Sequence, residues 1–209
     1  MALLVVAAAV GTGVAFSLWK QDRAQGALAA ERLEEARAAL AEAMDASKRE
    51  ASRNRFTHAA RLAQEAAAAD ESCSLEALRI EAQAWIGTTQ FRRAIEVLER
   101  GLALHPGDTE MLDLSAQAFH KSYEATRKGT DLAGAFAAYD ELLRSQPSAD
   151  RLLSAGSLAE LAGQPSVADS YFDRLAREYT NTAQAETAAA LRAARTSNDK
   201  QKPQPEDQR

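Results

Sequence analysis

Apolar positions recur at helical spacing along most of the chain. One stripe runs through residues 33–47, where steps of three and four residues alternate as on one helix face, and charged residues occupy the opposite face. Its members are Leu33, Ala36, Leu40, Ala43 and Ser47. A second stripe begins at Phe56 and continues to about Ala69. The polar cluster at residues 52–55 predicts the break between these two helices.

The first segment lacks this alternation. Residues 2–19 include no charged residue, and as a helix they would be about 27 Å long, close to the hydrocarbon thickness of a membrane. Trp19 ends this run and Lys20 follows it, in the positions of an interfacial aromatic residue and of a cation that extends to the membrane surface. A cleavable signal peptide would begin with basic residues and end at a cleavage site of small residues, and this segment has neither. A buried helix of a soluble protein would not be apolar on every face. We therefore predict an uncleaved membrane anchor over residues 1–20.

This anchor predicts a single-pass membrane protein, but the charges beside it leave the side of the membrane open. Lys20 and Arg23 follow the apolar run, and the positive-inside rule then favours a cytoplasmic location for the rest of the chain. The bias is small, because Asp22 lies between them and a short N-terminus is easily left inside. An exported or periplasmic domain is therefore the other open interpretation.

Composition narrows the fold class and the range of partners. Alanine, the strongest helix former, accounts for 48 of the 209 residues, and β-branched residues are scarce after residue 20, which predicts an all-α protein. The formal net charge of −5 argues against a nucleic-acid partner. The single cysteine excludes an intrachain disulfide framework and a cysteine-rich metal site.

The strongest pattern lies in residues 75–106, where small and large side chains alternate as two closely crossing helices require. Counted back from Pro106, these positions are Ala82, Trp85, Ala94, Leu98 and Gly101. The segment resembles a tetratricopeptide repeat (TPR), a pair of antiparallel helices of about 34 residues. Two residues depart from the family pattern: Glu81 stands where leucine is usual, and Thr89 replaces the turn glycine.

The same series recurs twice further along the chain. Equivalent positions are Ala135, Tyr139, Leu142 and Pro147 in the second copy, and Leu152, Ala155, Gly156, Gly163, Ala168, Phe172 and Leu175 in the third. Ala135 and Ala168 are 33 residues apart, close to the family period, whereas Ala94 and Ala135 are 41 apart. The surplus predicts one lengthened helix over residues 109–128.

Together these patterns predict an all-α chain with an N-terminal transmembrane helix followed by a TPR-like helical-hairpin solenoid. Asp108 is expected to start the lengthened helix and Gly129 to stop it. The predicted organisation is a transmembrane anchor at 1–20, a helical connector at 21–55, a TPR-like repeat domain at 56–196 closed by a capping helix at 182–196, and a disordered tail at 197–209.

The sequence carries none of the motifs that position catalytic groups. Its three histidines do not form a zinc motif, and it has no phosphate-binding glycine loop and no nucleophile elbow. We therefore expect a protein that is not an enzyme and that uses no cofactor, metal or small-molecule substrate.

The TPR resemblance implies an inner wall lined by the first helix of each hairpin, and a peptide segment of a protein partner as its ligand. The residues predicted to contact this partner are Arg79, Gln83, Asp113 and Gln117. They are polar, and we expect the fold itself not to need their side chains. Two functions remain open. The first is a membrane-anchored interaction scaffold or assembly factor. The second is a permanent accessory subunit of a larger membrane protein complex, whose other subunits would be its partners.

Overall fold

The computed structural model describes residues 2–45, 49–70 and 74–201, with side chains described over 23–45, 52–70 and 74–197. Over these residues the chain forms nine helices and no strand, which confirms the prediction of an all-α protein. The helices are α1 (Ala2–Asp45), α2 (Arg49–Ala69), α3 (Ser74–Gly87), α4 (Phe91–Leu104), α5 (Thr109–Thr126), α6 (Gly129–Ser145), α7 (Ala149–Leu161), α8 (Pro165–Glu178) and α9 (Ala183–Gln201). They divide into two compact units, Met1–Leu114 and Ser115–Arg209.

The predicted membrane anchor is corrected by the structure. Residues 2–19 are not a separate helix but the beginning of α1, which continues through the charged residues that follow for a total of 44 residues. Of the helices in the part of the chain that the structure describes, none is long and apolar enough to cross a membrane. The single-pass membrane localisation inferred from the anchor is overturned with it. Side chains before residue 23 lie outside the described ones.

The stripe predicted on α1 forms its contact with α2. Four of its members are buried, together with a further alanine one turn before them: Ala29, Leu33, Ala36, Leu40 and Ala43. Ser47 lies outside the described residues. The predicted break at residues 52–55 is wrong, because α2 already begins at Arg49. Ser52 instead links the two helices, since its hydroxyl donates to the carbonyl oxygen of Ala43 at 2.7 Å.

Helices α3 and α4 form the helical hairpin expected from residues 75–106. All five small and large positions of the pattern are buried: Ala82, Trp85, Ala94, Leu98 and Gly101. Gly101 also lets α5 approach α4, because a Cβ at this position would lie 2.5 Å from the Sδ atom of Met111. The alternation of side-chain size in the sequence therefore corresponds to the spacing of the helices.

The turn between α3 and α4 has the geometry of a glycine turn without a glycine. Thr89 adopts a left-handed conformation (φ 61°), its N–H donates to the carbonyl of Ile86, and the N–H of Gln90 donates to that of Trp85. The α7–α8 turn has the same bonding pattern with Gly163 (φ 69°) at the matching position. Thr89 thus adopts the left-handed conformation that Gly163 adopts in the α7–α8 turn.

The second unit repeats the hairpin arrangement. Its predicted small positions Ala135 and Ala168 are fully buried, and Tyr139, Leu142 and Phe172 are buried beside them. Helices α7, α8 and α9 pack on one another. Their shared core also includes one residue of α6, and its members are Leu143, Leu152, Ala159, Ala168, Phe172, Leu175 and Ala188.

The surplus residues between Ala94 and Ala135 are shared by two helices rather than confined to one. Helix α5 has 18 residues where α3 has 14, and α6 has 17 where α4 has 14. Asp108 starts α5 as predicted, because its Oδ1 accepts the N–H of Met111 at 2.9 Å. Gly129 does not stop α5; it begins α6.

The C-terminal helix is longer than predicted. Helix α9 ends at Gln201, five residues inside the segment expected to be disordered. The remainder of that tail, residues 202–209, lies outside the described residues.

Candidate functional site

Arg79, the first predicted contact residue, serves the fold of the first unit. Its guanidinium donates through Nη2 to the Asp108 carboxylate that caps α5, and Nη1 lies 2.7 Å from Oε2 of Glu110. The Nε atom is buried. Burial alone would raise the pKa of Asp108, but the N–H of Met111 and the Arg79 guanidinium hold it below its usual value. Arg79 therefore has ionic partners within the first unit, which argues against the expectation that the fold does not need this side chain.

The other three predicted residues have different surroundings. Gln83 is half-buried, and its Nε2 lies 3.9 Å from the Sδ atom of Met44. Asp113 is half-buried on α5 in the first unit, whereas Gln117 is exposed and belongs to the second unit. A role in partner binding stays a prediction for all four residues.

Gln117 borders a recess in the second unit. This recess has a volume of about 220 Å³ and is lined by Gln117, His120, Lys121, Glu124, Tyr139 and Ser154. His120 Nδ1 lies 3.1 Å from the Tyr139 hydroxyl, and His120 Nε2 lies 3.7 Å from Oε1 of Glu124. Burial lowers the pKa of His120, and Glu124 opposes that effect only in part. The His120 ring is therefore a neutral hydrogen-bonding group near neutral pH.

A larger cavity lies in the first unit, between α2, α3 and α4. It has a volume of about 850 Å³ and opens to the surface. Its lining combines charged, aromatic and aliphatic side chains: Gln64, Glu81, Trp85, Arg93, Glu96, Val97, Glu99, Arg100 and Ala103. This size is in the range of cavities that hold a ligand or several side chains of a partner.

Glu81 forms the floor of this cavity and is only 4% exposed. Its Oε1 accepts hydrogen bonds from Nε2 of Gln64 at 2.5 Å and from the indole N–H of Trp85 at 3.2 Å. Its Oε2 has a weaker neighbour, because Nη2 of Arg100 is 3.7 Å away, beyond hydrogen-bonding distance. Oε1 thus has two side-chain donors, whereas Arg100 is too distant to donate to Oε2.

Trp85 forms a wall of the same cavity beside Glu81. It is buried apart from 8% of its surface, and the Arg93 guanidinium carbon lies 4.9 Å from the centre of its ring. At this distance a cation is attracted by the electron-rich face of the indole. The cavity therefore joins a carboxylate oxygen with spare acceptor capacity to an aromatic ring that already binds a guanidinium.

The sequence contained a signal for this cavity, but its meaning was missed. Glu81 departs from the leucine usual in the TPR pattern, and a carboxylate at a core position is costly unless it is paired. Its partners Gln64 and Arg100 come from α2 and α4, at separations of 17 and 19 residues. Only the packing of the three helices brings them to Glu81.

The described side chains give no indication of metal chemistry. Among them, no group of three or more histidine, cysteine, aspartate or glutamate residues is placed to hold a metal ion. Cys73 lies outside the described residues. The cavity lining combines charged groups, hydrogen-bonding groups and an aromatic surface.

Comparison of the chain with protein families, with curated proteins and with solved structures gives no match.

Proposed function

We propose that this protein is a TPR-like helical-repeat module that binds a segment of a partner protein. The observation that carries the proposal is the open cavity of the first unit, which adjoins the best-matching hairpin and has Glu81 and Trp85 in its lining. Such a mixture of aromatic, aliphatic and charged groups is typical of surfaces that recognise side chains of another protein.

The regular hairpins support the same proposal. Small residues at the helix crossings, such as Ala94, Ala135 and Ala168, are fully buried. Helices that stack in this way present extended surfaces, and proteins built from them bind segments of other proteins. The TPR assignment rests on this pattern of residues.

The proposal is tested by site-specific photo-crosslinking with the full chain in its host cell. A photoreactive amino acid replaces Arg100 or Ala103 at the cavity, Lys121 at the recess of the second unit, or Ala38 on the exposed face of α1 as a matched control. All four positions are exposed, so these replacements should leave the fold intact.

We expect an adduct of discrete mass from Arg100 and Ala103 and none from Ala38. Adducts from Lys121 alone would move the binding surface to the second unit. The same adducts from all four positions, or none from any of them, would contradict a specific binding surface on the repeats.

A further inference from the structure

We propose that the cavity between α2, α3 and α4 binds a lysine or arginine side chain of the partner, with Glu81 as the charge that selects it. This inference rests on the proposed function and adds the chemistry of the ligand. The geometry that supports it is a buried carboxylate with one under-coordinated oxygen beside an indole ring that already attracts a guanidinium.

The first step of the argument is the state of the Glu81 carboxylate. Folding removes it from water, and Oε1 is compensated by Gln64 and Trp85, which are neutral donors. The nearest cation to Oε2, Arg100, is too distant for a hydrogen bond. A cationic donor from a partner can supply the charge-assisted hydrogen bond that Oε2 lacks, and such bonds are stronger than neutral ones.

The second step of the argument is that the Arg100 guanidinium can easily be displaced from Glu81. Its side chain is 64% exposed, so the Arg100–Glu81 pair is a weak one on the Arg100 side. When a partner cation displaces Arg100 into solvent, only the weak Arg100–Glu81 interaction is lost. The exchange therefore favours a ligand that reaches Oε2 at hydrogen-bonding distance.

The third step is the sign of the cavity as a whole. Its lining includes the three carboxylates Glu81, Glu96 and Glu99 and the two guanidinium groups of Arg93 and Arg100. The carboxylate at the floor is the buried one, whereas both arginines are exposed. A cation thus meets its opposite charge at the least exposed charged group of the cavity, and an anion would meet a like charge there.

The fourth step is the apolar surface that the stem of a long cationic side chain would cover. Trp85, Val97 and Ala103 line the same cavity. Lysine and arginine place their methylene groups along such surfaces while the charged end reaches a polar partner. The combination suits a long basic side chain better than a small cation.

The indole N–H of Trp85 provides a direct readout, because it donates to Glu81 itself. The chain has two tryptophans, so the indole region of a proton–nitrogen correlation spectrum holds two signals, and Trp85→Phe assigns them. The full chain is titrated with N-acetyl-arginine amide, N-acetyl-lysine amide, the neutral analogue N-acetyl-citrulline amide and N-acetyl-glutamate amide.

We expect arginine and lysine amides to shift the Trp85 signal saturably, and citrulline amide to bind about tenfold more weakly because it lacks the charge. Glu81→Gln should weaken arginine binding by a similar factor. Glu81→Leu, which introduces the residue usual in the TPR family, should remain folded and also lose binding. The matched control Glu31→Gln removes the same charge from an exposed position of α1, outside the cavity, and should change binding by less than about twofold.

The inference is overturned if citrulline amide binds as well as arginine amide, if glutamate amide binds more tightly, if Glu31→Gln weakens binding as much as Glu81→Gln, or if no amide shifts the signal. In each case crosslinks from Arg100 and Ala103 could still be present, and the proposed function would stand without this ligand. Absence of those crosslinks would instead remove the proposed function.

Discussion

Thr89 shows how one residue can hold a turn that its side chain does not favour. A β-branched residue in the left-handed region is strained, and only the surrounding hydrogen bonds keep it there. Thr89→Gly should therefore raise the free energy of unfolding by about 1 kcal/mol, as measured by urea denaturation.

Gly163 offers the matched control for this change. It occupies the equivalent position of the α7–α8 turn with φ 69°, so Gly163→Ala should lower the free energy of unfolding by about 1 kcal/mol. A destabilising effect of Thr89→Gly would show that the bond from the Thr89 hydroxyl to the carbonyl of Thr88, 2.6 Å long, outweighs the strain.

Arg79 is the residue at which sequence and structure disagree on role. Arg79→Glu would place a third carboxylate against Asp108 and Glu110 at the start of α5. We expect a loss of about 2 kcal/mol in the free energy of unfolding, since a partly buried ion pair is replaced by repulsion. Thermal denaturation checks this, with Arg53→Glu, the same charge reversal at an exposed position of α2, as the control. An unchanged melting temperature would return Arg79 to the set of residues available for a partner.

At the scale of elements, α9 combines a small apolar contact with a network of ion pairs. Among the described side chains of α9 only Ala188 is a buried apolar residue. Arg195 lies 2.7 Å from Asp169 and 2.5 Å from Glu160, and Arg192 lies 2.8 Å from Asp169. Asp169 thus joins both arginines of α9 to α8.

This network predicts a pH dependence for the docking of α9. The hydrogen bond from Arg195 is the main cause that lowers the pKa of Asp169 in the folded protein, with a further contribution from Arg192. Because the folded pKa lies below the unfolded one, the contribution to stability is present above about pH 4 and is lost as the pH falls through the folded value.

Amide hydrogen exchange over residues 185–196, recorded from pH 6 down to pH 3 and corrected for the intrinsic rate, checks this expectation. Protection should fall on acidification in the natural protein. Asp169→Asn should already be weakly protected at pH 6 and show little further change. Asp173→Asn, which removes an exposed partner of Arg192 alone, should have a smaller effect. Equal behaviour of both variants would contradict a central role for Asp169.

The elements that could be predicted are those determined by residues close together in the sequence, and the others depend on contacts between helices. The stripe on α1, the α3–α4 hairpin and the Asp108 start of α5 follow from local spacing and local hydrogen bonds, and all three were predictable. The break at residues 52–55 was not, since Ser52 finds its partner on the neighbouring helix rather than in a turn. Glycine often ends helices, which predicts a stop at Gly129, yet here Arg127 takes the left-handed conformation (φ 57°) after α5.

At the scale of the whole molecule, alanine sets the spacing of the helices. Of the buried apolar residues in the described part of the chain, 19 of 39 are alanine. Such interfaces bury little area per residue, so their stability comes from close approach of many helices. A larger side chain at one of these alanines would therefore overpack the contact between the helices.

Replacing Ala94, Ala135 or Ala168 by leucine should each lower the free energy of unfolding by about 1–3 kcal/mol. Ala125→Leu, at an exposed position of α5, is the matched control and should stay within about 0.5 kcal/mol. Thermal melts of the full chain separate these cases. Equal tolerance at all four positions would mean that the assigned repeat register is wrong.

The candidate site was the least predictable feature at this scale. The local sequence places Arg79 and Gln83 four residues apart on α3 and marks Glu81 as unusual. It does not show which of these side chains already have partners within the folded protein. Arg79 is taken up by Asp108, whereas Glu81 keeps an oxygen with spare capacity. The apolar run at residues 2–19 misled for a related reason, because its composition alone did not reveal that it opens a helix of 44 residues.

The way α9 is held makes the end of the array a natural place to extend it by design. Its arginines lie three residues apart, and both reach acidic groups that α7 and α8 already provide. A new hairpin whose first helix keeps arginines at this spacing could be grafted after residue 182 without redesigning the surface beneath. The chain could then be lengthened unit by unit, with the original α9 sequence moved to close the new end.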